Sequence, residues 1–170
     1  MAPPVPFAEG DRNEIGVGPI VTRSVISGGG MFINEDSGLD GRFWYKHQFG
    51  ERFDLGFTLF GGVTSYVGAG LDMRYYFMRK DRIRMGLDIQ GGWLWATIGM
   101  PIGYQIDDQI WFFTNPAIET REIGIINLPA GISVNTSEKI QFVGEGGVRV
   151  GGANGGYLGF YMSVALVSRF

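Results

Sequence analysis

The segment Tyr157–Phe170 alternates with a period of two. Leu158, Phe160, Met162, Val164, Leu166 and Phe170 fall on one face, with Ser168 as the interruption. Tyr157, Gly159, Tyr161, Ser163, Ala165, Val167 and Arg169 fall on the other. Only an extended strand gathers such sets on opposite faces. Arg82–Trp95 repeats the pattern, with Ile83, Met85, Leu87, Ile89, Trp93 and Trp95 opposed to Arg82, Arg84, Asp88 and Gln90. Tyr66–Arg79 does so again, with Val67, Ala69, Leu71, Met73, Tyr75 and Phe77 opposed to Gly68, Gly70, Asp72 and Arg74. The chain is therefore expected to be all-β.

Carried through the sequence, the pattern gives ten candidate strands. They are Glu14–Thr22, Arg42–Phe49, Arg52–Gly61, Tyr66–Arg79, Arg82–Ala96, Thr97–Ile106, Gln109–Arg121, Glu122–Asn135, Lys139–Val150 and Tyr157–Phe170. Eight strands is the alternative count. Gly50-Glu51, Lys80-Asp81, Asp107-Asp108 and Ser137-Glu138 read as polar turns one hairpin apart. The connections at the other end fall at Ser27–Gly41, Gly62–Ser65, around Ala96-Thr97, around Thr120–Glu122 and at Gly151–Gly156, and all but the first are short. A change of phase at Ile125-Ile126 predicts a bulge there. Pro19, Pro101, Pro116 and Pro129 fall inside strands, where bulges or frayed, loop-proximal ends are expected.

The next question is which face is inside. Asp54, Asp72, Arg74, Arg84, Asp88, Glu145 and Arg149 all lie on the glycine-rich polar face, too charged for a dry core. The opposite face is almost free of charge. Exposed to water, it would form an apolar band far larger than a soluble monomer carries. Facing lipid, it is what a closed membrane barrel requires. Composition agrees, with charged residues at 18% against roughly 25% in ordinary domains. Three uncharged stretches, Leu55–Leu71, Ile89–Ile106 and Val150–Ser168, carry too many glycines to be spanning helices. Met1–Phe7 has neither the basic nor the apolar region of a signal peptide.

The alternate apolar residues that end at Phe170 resemble the last strand of bacterial outer-membrane β-barrel proteins. The resemblance covers Glu14 to Phe170, and Ser168 departs from it, since the family often has an apolar residue there. It implies a multi-pass barrel of the Gram-negative outer membrane over residues 14–170. It also implies an N-terminal periplasmic tail over residues 1–13 and both termini in the periplasm. Phe170, Leu166 and Val164 would be the signal read by the barrel-assembly machinery. Phe43, Tyr45, Phe49, Tyr75, Phe77, Trp93, Trp95 and Tyr104 would form the aromatic membrane girdle. The surrounding partners would be outer-membrane lipid and lipopolysaccharide.

Several chemistries are disfavoured. The net charge of −3 gives no reason to expect nucleic acid. Without cysteine there is no disulfide, thiol or thiolate site, and a single histidine allows no multi-histidine metal site. No cofactor or metal is expected. His47 is the lone neutral-pH base; the family's deacylases use His-x-Ser, and here the run is His47-Gln48-Phe49. It falls on the apolar face beside a turn, so an interfacial role is expected. Asp36-Ser37 is a weak echo of the family's palmitoyl transferases, and residues 34–41 read as a solvated acidic loop. Gly28–Gly30 and Gly151–Gly156 have no following Lys-Ser/Thr and read as loop tips, not phosphate loops. Arg79-Lys80-Asp81-Arg82 reads as a solvated basic turn. Asp72, Arg74, Asp88 and Glu145 should meet in the lumen as a structural plug. The expected function is a small plugged barrel with a structural or docking role. A narrow channel for ions or small solutes is the alternative, and a lipid-modifying enzyme the second alternative.

Overall fold

Runs of alternating apolar and small polar residues end at turns that favour reversal, and the strands follow them. The computed structural model describes residues 13–26, 38–62, 68–92, 95–120, 124–151 and 157–170. The first strands are β1 (Asn13–Ile26), β2 (Gly38–Phe49), β3 (Phe53–Gly62), β4 (Gly68–Lys80) and β5 (Ile83–Gly92). Strand β6 runs in two segments, Trp95–Gly99 and Ile102–Gln105, and β7 likewise, Ile110–Thr114 and Ala117–Thr120. Strands β8 (Gly124–Asn135), β9 (Ile140–Gly151) and β10 (Tyr157–Arg169) complete the set. Each pairs antiparallel with the one before it. Strand β10 returns to β1, with Glu14 opposite Arg169 and Ile26 opposite Tyr157. The result is a closed ten-stranded barrel. Asn13 and Phe170 finish the seam by exchanging backbone hydrogen bonds of 3.1 Å.

The four tight turns lie at the same end as Asn13 and Phe170, here the turn end. Gly50 takes φ 65° and Asp81 takes φ 45°, a region open to Gly and tolerated by Asp. In the third turn Asp107 Oδ1 accepts the N–H groups of Gln109 and Ile110, both at 2.8 Å. In the fourth, Ser137 Oγ accepts those of Lys139 and Ile140 at 3.3 and 3.1 Å.

Parity decides what each strand presents. On β10, Met162 is 73% exposed and Val164 61%, while Tyr161, Ser163, Ala165 and Val167 between them are buried. The outward set continues round the wall through Val17, Leu55, Leu71, Leu87, Ile118 and Leu128. An apolar outer band on a closed barrel is the transmembrane arrangement, because closure pairs backbone groups that hydrocarbon cannot solvate.

Four expectations are corrected. The turn after β5 comes before Trp95, not after Ala96, so Trp95 belongs to β6 and faces the lumen. Its ring packs edge-on against the inward Phe60, with centroids 5.8 Å apart. The bulge is not at Ile125-Ile126, where the register from Ile125–Gly151 to Asn135–Gln141 is unbroken. It lies on β4 between Tyr76 and Met78, opposite Gly86 and Met85. The inward-facing prolines are not at frayed ends: Pro129 sits in mid-strand opposite Gly147, and Pro101 divides β6. Finally, β1 and β2 reach beyond Thr22 and Arg42 to Ile26 and Gly38. Trp93, Asp36-Ser37, Gly28–Gly30 and residues 1–12 lie outside the described residues.

Candidate functional site in the barrel lumen

Strands β4 and β5 set Arg74 directly opposite Asp88, and Asp72 opposite Gln90. All four side chains point inward and are buried. Arg74 Nη2 lies 3.3 Å from Asp88 Oδ2. Gln90 Nε2 donates to the same oxygen at 3.1 Å and to Asp72 Oδ2 at 3.2 Å. Asn115 Nδ2 donates to it at 2.8 Å from β7, passing across β6. Gly99 makes that reach feasible, since a Cβ there would stand 2.5 Å from Asn115 Oδ1. Arg74 Nη1 also meets the Tyr76 hydroxyl, at 3.5 Å. One carboxylate oxygen thus ties three strands together, which compensates burial of the charge.

A second cluster closes the turn end. Trp44 Nε1 donates to Glu14 Oε1 at 3.0 Å, and Arg169 lies 3.7 Å from Glu14 Oε2. Arg169 Nη2 also donates to Gln141 Oε1 at 2.9 Å. Trp44 also belongs to an apolar collar with Trp111, Phe113, Val143, Ala165 and Val167. Cations stack on aromatic rings around it: Arg42 on Trp44 at 5.0 Å, Arg84 on Trp111 at 6.0 Å and Arg149 on Tyr161 at 5.1 Å.

All seven lumen charges read from the sequence point inward. Asp72, Arg74 and Asp88 meet. Asp54 stands opposite Arg74 on β3. Glu145 and Arg149 lie on the β9 wall. Arg84 sits by Trp111. The sequence reading missed Glu14, Arg42, Lys46, Asn115 and Gln141, as well as the collar. Alternation on β2 carried the signal for two of them, because Arg42, Trp44 and Lys46 oppose Phe43, Tyr45 and His47.

Phe43, Tyr45, Phe49, Tyr75, Phe77 and Tyr104 face outward. Phe170, Leu166 and Val164 are also outward and exposed. His47 is on that outer face: its Nδ1 is 2.9 Å from Asn13 Oδ1, which also accepts the Tyr45 hydroxyl at 2.8 Å. Its ring packs edge-on against Phe49 at 4.5 Å. The basic turn is pinned to its neighbours, with Arg79 donating to the Glu51 carbonyl and Arg82 to that of Ile106. Among the described residues no group of three His, Asp or Glu could hold a metal.

No family model and no curated protein matches the sequence. Solved structures do match its fold. An outer-membrane channel from Pseudomonas putida F1 superposes with a TM-score of 0.67 at 12% identity, covering 100% of both chains. The chain has the outer-membrane β-barrel fold. The outer-membrane protease OmpT from Escherichia coli gives 0.59 at 8% identity, covering 98% of this chain and 99% of that one. The KdgM porin gives 0.54 at 11% identity, with 92% and 99% covered. These likenesses extend over whole chains, so the barrel matches as a unit.

Proposed function

We propose that the chain is a small integral protein of the bacterial outer membrane whose side-chain-filled barrel has a structural or docking role. The observation that carries this is the burial of inward side chains: Trp44, Arg74, Tyr76, Phe113 and Val167 are each at most 2% exposed. A continuous water path would leave such inward groups accessible. We place both termini and the tight turns in the periplasm, and take Phe170, Leu166 and Val164 as the assembly signal. His47, paired with Asn13 on the outer face, favours an interfacial rather than a catalytic role. The P. putida channel and the KdgM porin favour a second reading, a narrow channel. Planar-bilayer recording separates the two: the plugged reading expects no steady current, and large stable currents would refute it.

A further inference from the structure

Three prolines stand side by side on β6, β7 and β8, and each removes a backbone donor from the strand pairing beside it. Gly86 N–H donates to the Pro101 carbonyl, and Met100 N–H to the Pro116 carbonyl, both at 2.9 Å. Neither proline has an N–H to return. Pro129 falls opposite Asn115, and its carbonyl takes the Thr114 hydroxyl at 2.5 Å. The register does not slip at this level. Pairing stops at Gly99–Ala117 and resumes at Ile102–Thr114. It stops at Asn127–Ala117 and resumes at Ala130–Thr114. It stops at Asp88–Gly99 and resumes at Met85–Ile102. Three adjacent interfaces are therefore weakened along one line.

On the turn side of that line lies a hairpin, Ile102–Gln105 paired with Ile110–Thr114. Three residue pairs, from Ile83–Tyr104 to Met85–Ile102, hold it to β5 and five, from Ile110–Val134 to Thr114–Ala130, hold it to β8, so the leaf must part from β8 to move. The same hairpin carries Trp111 and Phe113, two aromatic members of the collar. The hairpin of β2 and β3, by contrast, pairs without interruption from Asp40–Gly62 to Phe49–Phe53. At the base, Asn115 is tethered to Asp88. The half-strand that carries these rings is thus the one whose base keeps one-way backbone bonds and is short of the proline donors.

We propose that Ile102–Thr114 is a hinged gate leaf that bends about Pro101, Pro116 and Pro129 and carries Trp111 and Phe113 out of the bore. The inference rests on the plugged reading and adds that the plug is displaceable. Ser133 reports on it, being fully buried, inward and opposite Trp111. The chain has no cysteine, so Ser133→Cys supplies a unique thiol. Its reaction with a water-soluble trimethylammonium methanethiosulfonate is followed in lipid vesicles, with Glu138→Cys at an exposed turn as control. The expected result is slow modification at position 133. Replacing the three prolines together with alanine should slow it by at least about tenfold, because the restored donors oppose local opening. No modification with the prolines present would overturn the leaf and leave the plug. An equal slow rate with and without them would overturn the hinge. A rate matching position 138 in both would show an open bore and overturn both readings.

Discussion

Asp88 shows how one side chain can organise a lumen. Its Oδ2 receives Arg74, Gln90 and Asn115, so its charge is compensated from β4, β5 and β7 at once. Breaking such a pair is worse than never having built it, because the surviving charge stays buried. Arg74→Ala should lower stability by up to about 3–5 kcal/mol, an upper value because water entering the bore would screen Asp88. Arg74→Met with Asp88→Leu removes both charges and should recover most of the loss. Urea unfolding in lipid vesicles measures each, and a double variant no more stable than Arg74→Ala would show that the pair is not what stabilises this wall. Asp81 makes a smaller point. At φ 45°, Asp81→Gly should be neutral or better, while Asp81→Val should cost about 1–2 kcal/mol. Equal unfolding midpoints for the two variants would contradict the turn geometry.

At the level of strands, parity does the sorting, and it predicts opposite responses on the two faces. Leu87 faces outward, so Leu87→Arg places a cation in hydrocarbon and should cost about 2–4 kcal/mol near the midplane. Gln90, three residues on, already lies between Asp72 and Asp88. An arginine there meets two carboxylates, so Gln90→Arg should be clearly milder. Equal, large losses of folding yield into vesicles would contradict the assignment. The same parity explains what was legible beforehand. Ten strands, four turns and the inward sense of seven charges followed from alternation. Trp95 did not, because Gly91-Gly92-Trp93-Leu94-Trp95 has no polar turn residue to mark the reversal, and the reversal resets the faces. The β4 bulge was hidden in Tyr75-Tyr76-Phe77-Met78, where every residue suits either face. The collar was missed because inward positions were expected to be polar, whereas Trp44, Trp111 and Phe113 fill space there. Asn115 carried no signal, since its partner is two strands away and its path depends on Gly99.

At the scale of the whole barrel, the collar joins opposite walls. Strands β2 and β7 are five apart in a closed ring of ten, yet Trp44 and Phe113 belong to one buried cluster. Ten strands enclose a bore only slightly wider than eight, which side chains alone can fill. Closure should therefore depend on these rings more than on net charge. In a dry core, Phe or Trp to Ala costs roughly 3–5 kcal/mol; here water can enter the space, so the loss should be smaller and the bore should open. Trp44→Ala combined with Phe113→Ala is expected to give steady ionic currents in a planar bilayer where the unaltered protein gives none. Folding is checked in parallel by the shift in gel mobility between unboiled and boiled samples, which a closed barrel should retain. A double variant that keeps the shift and stays silent would move the seal away from the collar, to the Arg74–Asp88 cluster on the β4–β7 wall.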